Sequence, residues 1–249
     1  MPKIGKFDTD HDALVKRVAT HTKYGNVELN DWIFDKLDIQ NNDNILDIGC
    51  GFGKQTIPFI EKGCSVTAID ASAPAVDSLL KRVKSSKLNA IVCEFDNIDF
   101  LPNDHFNKVI SSYAFYYSVD REDLLNKIEK SMRTKSSIFI CGPSQQNNLE
   151  IKKLLHDIGV EFGEGSAPFM DDIAPNLFKK IFGNVETDIL TNKLEFPSAE
   201  EVWKYWSSHN MFNKSIENKF QEALLEHFKS NQTFVLTKII KGIFSVKGT

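Results

Sequence analysis

Residues 44–53 read NILDIGCGFG, and this stretch decides the fold of the chain. An apolar run typical of a buried strand reaches an acid, Asp47, and then three glycines at alternate positions, Gly49, Gly51 and Gly53. Glycine lets the backbone turn sharply and approach a ligand closely. A helix after the loop would point its free N–H groups at the same place. The pattern therefore predicts a strand, a ligand-binding loop and a helix, with a purely structural bend as the alternative.

The glycine spacing separates this loop from two phosphate-binding loops. The dinucleotide fingerprint G-x-G-x-x-G requires its third glycine at position 54, which is Lys54, and no G-x-x-x-x-G-K-[ST] occurs. Asp47 would repel a pyrophosphate and attract an ammonium group. The loop therefore favours a positively charged ligand and disfavours a nicotinamide-dependent oxidoreductase.

Strand and helix patterns alternate along the chain. Strands are predicted at 44–48, 65–70, 90–95, 108–113, 137–142, 185–195 and 233–246, and helical segments at 8–38, 54–62, 73–86, 121–133, 147–158, 172–182, 198–208 and 214–230. This alternation predicts an α/β fold in which helices cover both faces of a parallel sheet. Ligands of such sheets bind beyond the carboxyl ends of the strands.

The glycine loop resembles the first motif of the class I S-adenosylmethionine (SAM)-dependent methyltransferases. The resemblance implies a Rossmann-like, doubly wound, seven-stranded sheet, mostly parallel with an antiparallel last strand, and a helical cap. It implies SAM as the cofactor and S-adenosylhomocysteine (SAH) as its product. Asp70 agrees with it, because an acid 21 residues after Gly49 can accept hydrogen bonds from ribose hydroxyls. A solvated turn residue is the alternative for Asp70.

Two further segments resemble the same family. Asp96 follows the third predicted strand, where similar enzymes place an acid that contacts the adenine, and Glu94 is its competitor. The segment 106–112 resembles the fourth strand, with Asn107 in place of the usual aspartate. The residues expected to bind the cofactor are Asp47, Gly49, Cys50, Gly51, Asp70, Ala71, Asp96, Asn97 and Ser112.

The acceptor side is less specific. Aromatic residues after the fourth strand suggest a wall that attracts a cation, although such residues belong to core packing more often than to a ligand site. The weak substrate-binding candidates are Tyr113, Tyr116, Tyr117 and Trp203, and the weak catalytic candidates are Tyr117, as an orienting hydroxyl, and His21, as a base. Arg17 is a candidate to pair with the cofactor carboxylate, with a solvated surface arginine as the favoured alternative, and Lys54 is expected to face solvent. The segment 111–117 after the fourth strand lacks the motif [DNS]-P-P-[YF], and its absence disfavours nucleobases and glutamine as methyl acceptors.

Composition excludes several classes of protein. A chain of 249 residues with a net charge of −4 and no long basic run is an unlikely partner of nucleic acid. No apolar stretch has the length of a membrane span, and the N-terminus lacks the apolar region of a secretion signal. The spacing of the four cysteines is not that of zinc ligands, so we expect no metal. The cysteines lie in or beside predicted buried strands, and buried thiols suit a reducing cytoplasm. The oligomeric state stays open.

These observations predict a single domain over residues 1–249. It would consist of N-terminal helices (1–40), a cofactor-binding core (41–145) and a helical, lid-like insertion (197–230). The leading hypothesis is a SAM-dependent methyltransferase that methylates an oxygen or nitrogen of a small molecule. The alternatives are a methyltransferase acting on a protein or a carrier-bound acyl group, and a non-catalytic module that binds SAM or SAH.

Overall fold

In the computed structural model, residues 11–160, 167–209 and 212–248 are described. The start of the predicted helical segment 8–38 and residues 210 and 211 of the predicted insertion lie outside the described residues. The strands are β1 (Asn44–Ile48), β2 (Ser65–Asp70), β3 (Leu88–Val92), β4 (Phe106–Ser112), β5 (Met132–Pro143), β6 (Glu186–Phe196) and β7 (Phe234–Val246). The α-helices are α1 (His11–Tyr24), α2 (Leu29–Leu37), α3 (Thr56–Glu61), α4 (Ala73–Arg82), α5 (Arg121–Ser131), α6 (Leu149–Asp157), α7 (Ala174–Phe182), α8 (Ala199–Ser207) and α9 (Glu217–Ser230).

The described strands form one seven-stranded sheet in the order β3-β2-β1-β4-β5-β7-β6. Strands β1 to β5 pair in parallel, and β7 runs antiparallel to both of its neighbours, β5 and β6. The Rossmann-like sheet implied by the sequence, with its antiparallel last strand, is confirmed. The strand order reverses direction at β1 and β4, which is the position where such sheets bind ligands.

Several element boundaries differ from the prediction; strand β5, for example, begins at Met132 and not at 137. The first helical segment is split into α1 and α2, because α1 ends before Gly25, a residue type that disfavours the helix interior. Strand β3 ends at Val92 rather than at 95, since the chain turns into a single 3₁₀ turn at Phe95–Asn97. Helix α3 begins only at Thr56 and is six residues long. A helix of six residues has a smaller dipole than the one predicted, so it supports less strongly the expected contact between a ligand and the free N–H groups of its first turn.

Alternation along the strands divides the core between the two faces of the sheet. On one face, Leu46 and Val109 pack with residues of α5 and α7. On the other face, Ile45 and Ile110 pack with residues of α2, α3 and α4. Asp47 has the parity of Ile45, and therefore its side chain points to the face that α3 covers.

A third cluster lies beyond the end of the sheet. Pro143, the last residue of β5, pairs with Ile240 of β7. Residues 234–239 of β7 pair only with β6, so this part of the β6–β7 hairpin extends beyond the end of β5. Helices α6, α8 and α9 pack on this projection around Leu194, Trp206 and Phe220. We call α6, α8, α9 and the projecting hairpin the cap. The cap lies beyond the carboxyl end of β5, and its Tyr205 acts on Tyr113 at the carboxyl end of β4.

Candidate active site at the carboxyl ends of the strands

The glycine loop after β1 has one glycine that the protein's own packing does not explain. A Cβ at Gly49 would lie 2.1 Å from the Cβ of Ala114, so packing alone requires a glycine there. A Cβ at Gly51 would meet no atom within 4 Å, although its φ of +51° also disfavours a side chain. Gly51 therefore borders open space at the carboxyl end of the sheet, as a loop that approaches a ligand would.

Asp70, the last residue of β2, clamps this loop. Its Oδ2 accepts a hydrogen bond from the Gly51 N–H (2.8 Å), and its Oδ1 accepts one from the Ser72 N–H (2.8 Å). The N–H groups of Gly49 and Cys50 both donate to the Ile69 carbonyl, at 2.7 and 3.1 Å. Each carboxylate oxygen keeps a further acceptor position, and the side chain is only partly buried. Asp70 thus holds the loop and can still accept hydrogen bonds from a ligand.

Asp47 lies beneath the loop and not on its surface. Only 1% of the residue is exposed, and its Oδ2 accepts a hydrogen bond from the Thr56 hydroxyl (2.6 Å). Burial raises the pKa of Asp47 to about 7; the nearby Asp70 charge adds to this effect and the Thr56 hydrogen bond opposes it. Asp47 therefore joins β1 to the first turn of α3. The glycine loop lies between its carboxylate and the open space at Gly51, so Asp47 would attract a bound cation without touching it.

The Asp96 carboxylate is engaged by the segment before α5. It accepts hydrogen bonds from the Ser118 hydroxyl (2.7 Å) and from the N–H groups of Val119 (3.1 Å) and Asp120 (3.4 Å). Burial alone would raise its pKa, but these hydrogen bonds and the Lys127 charge outweigh burial and lower it. The structure thus gives Asp96 a role in fixing this loop, and its predicted contact with adenine stays a prediction.

The residues next to Asp96 differ in exposure and in their contact with the glycine loop. The Asn97 N–H donates to the Glu94 carbonyl (3.0 Å), and both side chains are exposed. Phe95 was missed by the sequence analysis, yet its ring lies against the glycine loop, since a Cβ at Gly49 would be 3.2 Å from Phe95 Cζ. The signal for it was an aromatic residue directly before the acid at the end of the third strand.

Tyr113 has an unusual backbone at the carboxyl end of β4. Its φ is +59°, a region that bulky residues rarely adopt, and its N–H donates to the Cys141 carbonyl (2.8 Å). Burial raises the pKa of the Tyr113 hydroxyl, and nearby Cys141 and Tyr205 raise it further. The preceding Ser112 accepts a hydrogen bond from the Cys141 thiol (3.5 Å). Such backbone strain costs on the order of 1–3 kcal/mol and clusters at functional sites.

The other aromatic candidates have packing roles. Tyr116 is 5% exposed, and its ring centre is 4.8 Å from that of Tyr117, which is partly buried against the same core. Trp203 lies in the cap with its ring centre 5.1 Å from that of Phe212 and 6.3 Å from that of Phe220. Core packing therefore accounts for Tyr116 and Trp203 without a substrate.

His21 of α1 meets Tyr205 of the cap. The His21 Nε2 lies 3.1 Å from the Tyr205 hydroxyl. Burial, followed by the charges of Lys238, Lys54 and Arg17, lowers the pKa of His21 to about 3. An imidazole with this pKa is uncharged at neutral pH and a weak proton acceptor, whereas an effective general base has a pKa near the operating pH. The structure therefore gives no support to His21 as the base.

Lys54 and Arg17 differ from simple surface residues. Lys54 was expected to face solvent, but it is partly buried, and burial lowers its pKa, with Glu28 and Cys141 opposing. Its expected exposure is wrong because α2 packs on the loop: the Asn30 amide donates to the Lys54 carbonyl (3.0 Å). Arg17 joins α1 to the cap through a hydrogen bond from Nη1 to the Ser208 carbonyl (2.7 Å).

The sequence analysis missed Lys238 of β7, which is 3% exposed. Its Nζ donates to Asn148 Oδ1 (2.8 Å) and lies 5.8 Å from the centre of the Tyr205 ring. Burial lowers the pKa of Lys238 to about 7; the charges of Arg17 and Lys152 add to this effect and Glu150 opposes it. The period-two pattern of β7 contained the signal, since a lysine occupies an inward position between Leu236 and Ile240.

Within residues 11–160, 167–209 and 212–248, no group of three or more His, Cys, Asp and Glu side chains is arranged to hold a metal ion. All four cysteines are free thiols, and Cys93 is the most accessible of them. Among the described helices, none combines the length and the apolar character needed to cross a membrane.

Comparison with known proteins agrees with this geometry. Residues 45–135 match a family model described as a methyltransferase domain. The chain is 25% identical over 232 residues to 235L, named as a methyltransferase of Invertebrate iridescent virus 6, and the match covers 86% of this chain and 79% of that one. It is 34% identical over 86 residues to a protein named as ribosomal RNA small subunit methyltransferase A of Methanosphaera stadtmanae, covering 34% of this chain and 32% of that one. The chain thus spans most of the first relative and about a third of the second.

A solved structure from Anabaena variabilis is similar over 87% of this chain and 96% of its own, with a TM-score of 0.65 and 16% identity. It is described as a methyltransferase of an antibiotic biosynthesis pathway. At this identity the likeness establishes the fold.

The strand order, the glycine loop and the acid that clamps it define a Rossmann-like fold with an open glycine loop at the carboxyl ends of its strands. Together with the family match, they place the protein more narrowly. The match over residues 45–135 supports a methyltransferase domain of the class I, SAM-dependent type built on this sheet.

Proposed function

We propose that this enzyme transfers the methyl group of SAM to an oxygen or nitrogen of a small molecule. The observation that carries the proposal is the cap, which lies beyond the carboxyl end of β5 and buries polar side chains there. Tyr205 is 2% exposed and Lys238 3% exposed, and both lie where the cap meets the sheet. An acceptor site enclosed in this way suits a small molecule better than a folded macromolecule.

The loop after β1 fits an adenosyl amino acid. Gly51 borders space that a Cβ could enter without a contact, and Asp70 retains acceptor positions for ribose hydroxyls. Ala71 and Cys50 would contribute backbone next to them, and Ser112 lies across the crevice. Asp96 and Asn97 stay in the proposed site as the boundary of the adenine position, with the Phe95 ring against Gly49.

The chain's own contribution to the reaction is alignment. When bound, SAM supplies a methyl group already activated on a positively charged sulfur. The protein therefore has to hold the acceptor atom in line and exclude water, and good orientation can contribute on the order of 7–11 kcal/mol. Tyr117 remains a candidate for an orienting hydroxyl. A base is needed only for a neutral hydroxyl or a protonated amine.

The N-terminal helices (1–40), the cofactor-binding core (41–145) and the insertion (197–230) are proposed to act as one domain. This organisation is supported by contacts between them, such as the hydrogen bond from the Tyr24 hydroxyl to Glu201 (2.6 Å). We further propose that the enzyme acts without nucleic acid or membrane partners and in the cytoplasm. The net charge of −4 and the free thiols support this.

Three other acceptors or roles compete with the proposal. A protein or a carrier-bound acyl group would require the cap to open. The relative named as a ribosomal RNA methyltransferase makes RNA a further acceptor to test. A module that only binds SAM or SAH would show binding without transfer.

Methyl-labelled SAM distinguishes these possibilities. The enzyme is incubated with labelled cofactor and, separately, with the small-molecule, protein and RNA fractions of a cell extract. We expect label in the small-molecule fraction, removed by Gly51→Ala. Label in protein or RNA would replace the small-molecule proposal, and SAH binding without transfer to any fraction would favour the non-catalytic role.

A further inference from the structure

Lys238 occupies the junction between the sheet and the cap. On β7 its side chain shares a face with Leu236, which belongs to the cap core, and with Ile240, which belongs to the core under α2 and α3. Strand β7 is three positions from β1 in the sheet, about 14 Å at a spacing of about 4.8 Å between strands. Lys238 therefore lies on the cap side of the sheet, three strands from β1 and its glycine loop.

Positive charges of other residues act on Lys238. The charges of Arg17 and Lys152 lower the pKa of Lys238. The charges of Lys238, Lys54 and Arg17 in turn lower the pKa of His21. Among the described residues, no carboxylate forms an ion pair with Lys238. Glu150 is the acid whose charge raises the pKa of Lys238. Its carboxylate accepts hydrogen bonds from the N–H and the hydroxyl of Thr237. A buried cation without a counter-ion is costly, and a bound anion would remove that cost.

The lysine is also held in place. The loop between β5 and α6 bonds to the backbone on both sides of it: the Asn148 N–H donates to the Thr237 carbonyl (3.0 Å), and the Ile239 N–H donates to Asn147 Oδ1 (3.1 Å). Asn148 Oδ1 accepts one of the three N–H donors of the ammonium. The Tyr205 ring centre is 5.8 Å from Lys238 Nζ, and the hydroxyl of this ring is 3.1 Å from His21 Nε2. A rigid, buried donor group of this kind is pre-organised for a ligand.

We propose that Lys238, with the charge of Arg17 and the Tyr205 hydroxyl, binds an anionic group of the methyl acceptor, either a carboxylate or a phosphate. This inference rests on the proposed function, because it assigns the group to the acceptor of the same site. The three strand positions between β7 and β1 distinguish this group from the loop proposed to hold the cofactor. The enzyme would accordingly select small acids or phosphate esters and reject their neutral amides or dephosphorylated forms.

The test uses the full chain saturated with SAH and two probes, inorganic phosphate and acetate, titrated by NMR. We compare the wild type with Lys238→Met, which keeps the length of the side chain without its charge. The matched control is Lys241→Met on the same strand, since residue 241 points to the opposite face. We expect at least one anion to bind the wild type and the control equally, and Lys238→Met at least about tenfold more weakly. Phosphate binding alone indicates a phosphate ester, and acetate binding alone a carboxylic acid.

Binding of neither anion to the SAH-loaded wild type, or equal binding by Lys238→Met, would overturn the inference and leave the proposed function standing. Failure of SAH itself to bind would instead overturn the proposed function. A second measurement needs no variant: the lysine side-chain resonance of Lys238 is titrated with and without the anion. We expect the anion to raise the pKa of Lys238, and an unchanged pKa in the presence of bound anion would place that anion elsewhere.

Discussion

Removing the charge of Lys238 should change how the stability of the protein depends on pH. Burial, with the charges of Arg17 and Lys152, lowers the pKa of this lysine from 10.5 to about 7. Tenfold in a protonation constant corresponds to about 1.4 kcal/mol, so the protonated form costs the folded state on the order of 5 kcal/mol. Lys238→Met removes this cost and also leaves Asn148 Oδ1 without its donor. The second effect does not vary with pH.

The sign follows from proton binding. Between pH 7 and 10.5 the unfolded chain carries a proton on this lysine that the folded chain does not carry, so the stability of the wild type rises with pH in that range. Below pH 7 the lysine is protonated in both states and the full cost is present. From pH 5 to pH 9 the wild type should therefore gain about 3 kcal/mol relative to Lys238→Met. His21, with its pKa of about 3, titrates below this window.

Urea unfolding of the wild type, Lys238→Met and Lys241→Met at intervals from pH 5 to pH 9 measures this difference. The free energy of unfolding of Lys241→Met should follow that of the wild type across the range. A constant difference between the wild type and Lys238→Met at all pH values would refute the reasoning, because it would show that Lys238 is not a buried, destabilised cation.

Three further predictions concern the cofactor side of the crevice and α1. Gly51→Ala should abolish measurable SAH binding in calorimetry, whereas Gly183→Ala, at a glycine that also has positive φ (+74°) and open space around it, should bind normally; equal binding by both variants would remove Gly51 from the site. Asp70→Asn should weaken SAH binding by about tenfold or more, on the scale of a hydrogen bond to a charged group, and Asp77→Asn on the exposed side of α4 should not. If both variants bind like the wild type, Asp70 serves only to hold the loop. The His21 ring should show no titration by NMR between pH 5 and pH 8, since its pKa is lowered to about 3, and a midpoint near 6.5 would show that the ring is solvated.

The sheet could be predicted from the sequence because its signals are local. β1 and β2 were predicted with their observed bounds, since each is a short apolar run that ends at an acid or at a glycine turn. The third strand was predicted to extend too far because Cys93 continues the apolar pattern, while its N–H bonds to the Asp70 carbonyl and the chain then turns. Hydrogen bonds between segments decided that boundary.

The cofactor side of the site was visible for the same reason, whereas the acceptor side was not. Gly51 and Asp70 belong to motifs of fixed spacing. Lys238, His21 and Tyr205 lie on β7, α1 and α8, and they meet only because the β6–β7 hairpin projects beyond β5. Such a cluster depends on how distant segments pack, and no local pattern carries that information beyond the inward position of one lysine.

The account depends most directly on what the loop after β1 binds. Calorimetric titration of the full chain with SAM, SAH, NAD and ATP, each alone under the same conditions, tests it. We predict saturable binding of SAM and SAH at one site per chain and none of NAD or ATP. Saturable binding of NAD or ATP with no binding of SAM or SAH would contradict the account.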